Sequence, residues 1–170
     1  MKKESQYILF VVVVLLSQIL LFNNLTISAF LAPLAYIVCI IMMPLGTSPL
    51  KMLIAGLLLG IVMDITMGIG GLNVIATLPI AYFRRPILHF VASFSDVDSD
   101  GEVPTVRRIP RFYYYVVVMV VLHSLIFFGF EHLTSANFGF LALRFLCSTA
   151  STLAIVYFFI AIFTPKLSAR

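Results

Sequence analysis

Charge is scarce in this sequence, and that scarcity identifies the solvent around it. Only 11% of the 170 residues are charged, against 62% hydrophobic, and the mean hydropathy is +1.12. No water-soluble domain of this length hides so much apolar surface. The chain therefore reads as a single integral membrane domain over residues 1–170, without space for a second, soluble one. The period-two alternation of a membrane β-barrel is missing, which leaves an all-α, multi-pass architecture. Cysteine is also rare. Cys39 and Cys147 both fall in apolar stretches, where a thiol packs as a small hydrophobe, so neither a disulfide framework nor a metal site is implied.

What the chain has instead is apolar runs. A helix needs about 20 mostly apolar residues to cross a bilayer, so there is room for about six spans. The first covers Gln6 to Phe22, and its apolar stretch is longer than a signal-peptide core, while "ISA" is a poor cleavage site, so it reads as retained. The second runs from about Thr26 or Phe30 to Met43, with Pro33 near its start and Pro44 at its stop. The third runs from Leu50 to the Gly70-Gly71 pair. The fourth covers Leu72 to Phe83, or on to Val91, with Pro79 and Pro86 as kinks or ends. A polar loop over about 93–111 precedes the fifth span, Phe112 to Phe130, and the sixth covers Phe138 to Phe163.

Basic residues favour the cytoplasmic side of short loops. With the amino terminus inside, Lys2, Lys3, Lys51, Arg84, Arg85, Arg107, Arg108, Arg111, Lys166 and Arg170 all fall there, and Arg144 alone lies within a span. Both termini are then cytoplasmic, and Tyr113, Tyr114 and Tyr115 fit an inner aromatic belt. The pI of 9.3 reports this topology and contact with anionic membrane lipid, and it gives no warrant for a nucleic-acid role.

Catalytic patterns are missing too. The sequence contains no G-x-S-x-G elbow, no H-E-x-x-H and no pair of intramembrane aspartates. "DVDSDG" (Asp96 to Gly101) matches the start of an EF-hand loop, but Arg107 stands where the bidentate Glu belongs, so it reads as a solvated acidic linker. His123 and Ser124 supply triad residue types with Asp64, yet adjacent helix positions point about 100° apart. No enzyme and no cofactor is expected.

Asp64 is the anomaly. It sits in "GLLLGIVMDITMGIGGLN" (Gly56 to Asn73), and counting inward from the outer span ends puts Asp64, His123 and Arg144 at one depth, roughly 10 Å below the surface. An ionisable residue within a span is costly and finds a partner. An Asp64–Arg144 pair with His123 nearby is expected, serving either to fix packing or to form a substrate or proton site. Gly56, Gly60 and Asp64 share one helix stripe, with Gly68 after it, and "CSTASTLA" (Cys147 to Ala154) gives the sixth span Ser148, Ser151 and Thr152. Small residues allow close helix approach in lipid. Both surfaces are candidates for a partner interface, or for packing within the bundle.

The order of these features resembles the rod shape-determining protein MreD family of bacterial inner-membrane proteins. Gly56, Gly60, Asp64 and Gly68 match its third-helix G-x-x-x-G-x-x-x-D-x-x-x-G pattern, followed by Gly71 and Ala81-Tyr82, and "LFNNL" (Leu21 to Leu25) with Pro33 agrees as well. The resemblance covers essentially the whole chain. It implies a non-catalytic member of the cell-elongation complex, located in the bacterial inner membrane and helping to organise peptidoglycan synthesis and cell shape. The implied partner is the single-span scaffold MreC, with direct or indirect links to the cytoskeletal protein MreB, the RodA glycosyltransferase and its penicillin-binding transpeptidase. It also implies a fold like the substrate-binding component of energy-coupling-factor transporters. That kinship makes a vitamin- or metal-uptake component the alternative function. The alternative is disfavoured by the first span, "VVVVLLSQILLF", which lacks the A-x-x-x-A docking pattern of those proteins.

Overall fold

The computed structural model describes residues 3–24, 30–91, 103–105, 109, 111–132 and 138–168. Among these residues all regular structure is helical: α1 (Lys3–Leu20), α2 (Val38–Ile41), α3 (Pro49–Met67), α4 (Leu72–Val91), α5 (Phe112–His132) and α6 (Phe138–Ser168), with short 3₁₀ turns at Phe22–Asn24 and Ala35–Ile37. Four segments are long and apolar enough to cross a membrane: Ser5–Asn24, Pro49–Met67, Phe112–Glu131 and Phe138–Thr164. The helix α4, which carries Asn73, Thr77 and the Arg84-Arg85 pair, is not among them. Pro79 and Pro86 both lie inside α4 and do not end it.

The boundaries of α3 follow from local chemistry. Pro49 opens it at the first helical position, where a missing N–H costs nothing. Gly68 closes it in the left-handed region (φ 65°), where the N–H groups of Gly68 and Ile69 both reach the Asp64 carbonyl. Gly71 (φ 92°) then turns the chain into α4.

The two helices pack as a tight antiparallel hairpin. A Cβ added to Gly56 would stand 2.9 Å from Ala81 Cβ, and one at Gly60 would stand 2.6 Å from Val74 Cα. Thr77, between them, donates its hydroxyl to the Gly56 carbonyl at 3.0 Å. Gly56 and Gly60 therefore join α3 to α4 and do not present a partner interface, because any side chain there would push against α4 itself.

The expected second helical span is corrected. Residues 31–34 are non-helical, Ala35–Ile37 form a 3₁₀ turn, and α2 has only four residues before the chain turns at Met42 and Gly46. Leu34 through Met42 are all buried. Irregular backbone inside a membrane protein is tolerated only where protein satisfies it, and here the surrounding helices do so. Gln18 of α1 donates to the Pro33 carbonyl (2.9 Å) and accepts from Tyr36 N (3.3 Å), and Tyr7 donates to the Cys39 carbonyl (2.7 Å). Tyr115 of α5 donates to the Ile41 carbonyl.

From α6, Ser148 Oγ accepts from Ala32 N and donates to the Phe30 carbonyl, both at 3.0 Å, and Thr152 Oγ1 accepts from Leu34 N at 2.9 Å. Ser148 and Thr152 are thus buried bundle residues, which corrects their reading as a partner face. Ser151 is half-buried and bonds the Ser148 carbonyl. Replacing Thr152 by Val keeps the shape and removes the acceptor. The buried Leu34 N–H is then left unmet, at a cost of about 1–3 kcal/mol, and thermal unfolding in detergent should show a lowered midpoint, with Thr152→Ser retaining most of the stability.

The polar loop before α5 lies largely outside the described residues, including the EF-hand-like Asp96 to Gly101. Its described part is not solvated throughout: Val103, Thr105 and Ile109 are buried against the bundle. Tyr113 and Tyr114 are exposed as an interfacial belt requires, whereas Tyr115 is buried.

Candidate functional site

Asp64 lies one turn before the end of α3, and its carboxylate faces the start of α4. Oδ1 accepts from Asn73 N (2.9 Å) and Asn73 Nδ2 (3.0 Å), and Oδ2 accepts from Val74 N (3.1 Å). Asn73 and Val74 occupy the first turn of α4, whose N–H groups have no acceptor within their own helix. Asp64 therefore caps α4 from the neighbouring helix, and its negative charge meets the positive end of the α4 dipole. Its own carbonyl ends α3. One residue closes one helix and opens the next.

The bonds continue from Asn73. Tyr36 hydroxyl lies 2.8 Å from Asn73 Oδ1 and 3.0 Å from His123 Nε2. Because Asn73 Nδ2 is committed to Asp64, Oδ1 can only accept, so the single Tyr36 proton goes there. His123 then donates through Nε2, and its buried Nδ1 has no hydrogen-bond partner. Each donor in the chain His123, Tyr36, Asn73 points toward the Asp64 carboxylate, an arrangement in which successive bonds strengthen one another. Tyr36→Phe cuts this chain at its centre. It should lower the unfolding midpoint and make His123→Ala cost less in the Tyr36→Phe background than alone, as a double-mutant cycle would measure.

Two of the three residues expected in one polar cluster, Asp64 and His123, are thus joined through Asn73 and Tyr36. Arg144 is not in it. Its Nη2, on α6, pairs with Glu131 Oε1 near the end of α5 at 3.3 Å, with both side chains partly exposed. The Asp64–Arg144 pair is therefore corrected. Equal depth fixes height in the membrane but not direction around a helix, and Glu131, just past the expected span end, is the nearer acid in the chain.

At the opposite end of the hairpin, Arg84 departs from the cytoplasmic surface that its sequence position implies: it is 2% exposed, the largest of the fully buried side chains. Its Nη2 donates at close range to the Met43 carbonyl, just past α2, where a cation complements the negative helix end. Asn73, Tyr36, Gln18 and Arg84 are the polar residues that sequence reasoning missed. Asn73 alone had a local signal, its position shortly after Gly70-Gly71 at the start of a helix.

Near Arg144, a cavity of about 690 Å³ opens between Asn23, Pro33, Thr66, Phe127, Glu131 and Arg144. Among the described residues no group of three or more histidine, cysteine or acidic side chains is placed to hold a metal. The arrangement defines a helical protein with four segments able to cross a membrane, in which buried polar side chains including Gln18, Asp64, Ser148 and Thr152 bond backbone groups of neighbouring elements. No family model, no curated protein and no solved structure matches the chain.

Proposed function

We propose that this protein is a non-enzymatic component of the bacterial cell-elongation machinery. It sits in the inner membrane and binds the membrane span of an MreC-like scaffold, with the RodA-type glycosyltransferase and its transpeptidase partner as direct or indirect neighbours. The observation that carries the reading is how the residues matching the family pattern are used: Gly56, Gly60, Asp64 and Gly68 build one hairpin, and the buried Asn73, Tyr36, His123, Ser148 and Thr152 serve the bundle's interior. A bundle built this way offers helix faces and a defined shape to a partner.

Six crossings with both termini inside fit the same reading. The residues 30–43 contact Gln18 at one end and Tyr7 at the other, eleven positions apart on α1 (18 − 7), about 16 Å along a helix. This segment accordingly runs back along α1, irregular over residues 31–34 and in short helical turns over 35–41, and on this reading it serves as the second crossing. The kinship with energy-coupling-factor substrate-binding components belongs to this proposal as well.

Small residues that point outward are the docking candidates in lipid. On α6 these are Ala150 and Ala154, both exposed, while Ser148 and Thr152 face inward. Affinity capture of the tagged chain from native membranes should recover a single-span periplasmic scaffold. Ala150→Leu with Ala154→Leu should abolish that recovery while the amount and monodispersity of the chain stay normal. Recovery undiminished in this double variant rules the face out. The cavity beside Glu131 and Arg144 favours the second reading, a vitamin- or metal-uptake component. A small molecule copurifying in place of a scaffold would establish that alternative.

A further inference from the structure

The cavity of about 690 Å³ lies at the end of the bundle where α3 gives way to α4, and its volume suits a small organic ligand. Asp64, Asn73, Tyr36 and His123 are not among its lining residues. Its walls are apolar over Ile19, Phe22, Met67 and Phe127, and polar at Asn23 and at the Arg144–Glu131 pair. Two donors there are unmet. Gln18 Nε2 donates both to the Pro33 carbonyl (2.9 Å) and to Asn23 Oδ1 (2.8 Å), while Gln18 Oε1 accepts from Tyr36 N. Asn23 therefore turns its oxygen to Gln18, which leaves its buried Nδ2 without a partner. Arg144 reaches Glu131 through Nη2, and its buried Nε has no partner either.

A buried donor left unmet is costly, so both side chains gain from an acceptor that no described residue supplies. Charge decides what kind of acceptor. Arg144 has its counter-charge in Glu131, and these two are the charged residues among the described lining, so the cavity carries no net charge. An anion placed there would be an uncompensated charge in a partly buried site. We propose that the cavity binds an uncharged molecule that has an apolar chain and a carbonyl group, as in an ester or an amide. Its oxygen acceptors meet the N–H groups of Asn23 and Arg144, and its chain lies along Ile19, Phe22, Met67 and Phe127. Asn23 is half-buried and Arg144 is 28% exposed, so each can turn its N–H toward the guest. Neither Ala150 nor Ala154 lines the cavity, so this site is independent of scaffold binding at α6.

The test is native mass spectrometry of the full chain in detergent, titrated separately with monoolein, with its ether analogue, which lacks the carbonyl, and with sodium oleate. Monoolein should be retained about fivefold more strongly than the ether analogue, the worth of about one hydrogen bond, and more strongly than oleate. That comparison needs no variant. Asn23→Asp keeps the acceptor that Gln18 uses and removes the amide donor, and Arg144→Lys keeps the charge opposite Glu131 and removes Nε. Each should reduce the preference for the ester to less than about twofold. Ile65→Phe, at an exposed residue outside the lining, should leave it at the wild-type value. No retention of monoolein, equal retention of ester and ether, or stronger retention of oleate would each overturn the proposal. The water-soluble amide N-hexylacetamide fixes the source of the guest. Displacement of monoolein at equal concentration supports a soluble molecule, and no displacement supports a membrane lipid.

Discussion

Asp64→Ala is expected to destabilise the protein more than any other single change to a polar side chain. Three N–H donors, Asn73 N, Asn73 Nδ2 and Val74 N, lose their acceptor together. Each buried donor left unmet costs about 1–3 kcal/mol, so the total is about 3 kcal/mol or more, and the favourable dipole interaction at α4 goes with it. Asp64→Asn recovers only part of this. Its amide keeps one acceptor oxygen but turns an NH₂ toward a backbone donor that needs an acceptor. Thermal unfolding of the purified proteins should rank wild type above the Asp64→Asn variant, and that variant above Asp64→Ala. The Arg144→Ala change, which breaks a separate and partly exposed pair with Glu131, should add to Asp64→Ala with no coupling. A double variant more stable than the sum would mean that Asp64 and Arg144 do interact.

Gly60→Leu should be comparably damaging, for a steric reason. The first added carbon already lies 2.6 Å from Val74 Cα and 2.7 Å from Thr77 Oγ1. Val74 Cα is backbone and cannot rotate away, so α4 has to move. Overpacking alone costs about 1–3 kcal/mol. Separation of the hairpin also disturbs the Asp64 cap and the Thr77–Gly56 bond, which cross the same seam. The folded, monodisperse fraction extracted from membranes should fall sharply for Gly60→Leu and measurably for Gly60→Ala. Gly129→Ala is the control, because a Cβ there meets nothing within 4 Å, and within a helix alanine is favoured over glycine by about 1 kcal/mol. A Gly60→Leu protein as stable as wild type would show that the two helices are not in close contact.

The regular helices are legible in the sequence because their ends carry local signals. Pro49 starts α3, Gly68 and Gly71 separate it from α4, and the charged Arg111 precedes α5. The residues 30–43 are not legible. A short apolar run buried on all sides reads the same whether it is helical or extended, and what decides here is tertiary. The donors and acceptors that release this backbone from helical bonding are Tyr7, Gln18, Tyr115, Ser148 and Thr152, up to 118 positions away in the chain.

The same cause explains why the expected polar cluster is half correct. Depth alone brings Asp64 and His123 together, but the link between them is Tyr36, contributed by the segment whose backbone the sequence does not reveal. A basic residue near a span end normally faces water, which is why Arg84 reads as a residue of the cytoplasmic surface. Its burial depends on a carbonyl, that of Met43, exposed only because α2 ends so early.

The partner-binding reading is tested most directly by photo-crosslinking in living cells. A photoreactive phenylalanine analogue is placed at Ala154 on the exposed face of α6, and in a second strain at Ile65, exposed on α3. The account predicts a crosslink from position 154 to the membrane span of a single-span scaffold, identified by mass spectrometry of the adduct, and none to that scaffold from position 65. Crosslinks from position 154 to lipid alone, with the chain present at normal abundance beside the scaffold, would contradict it.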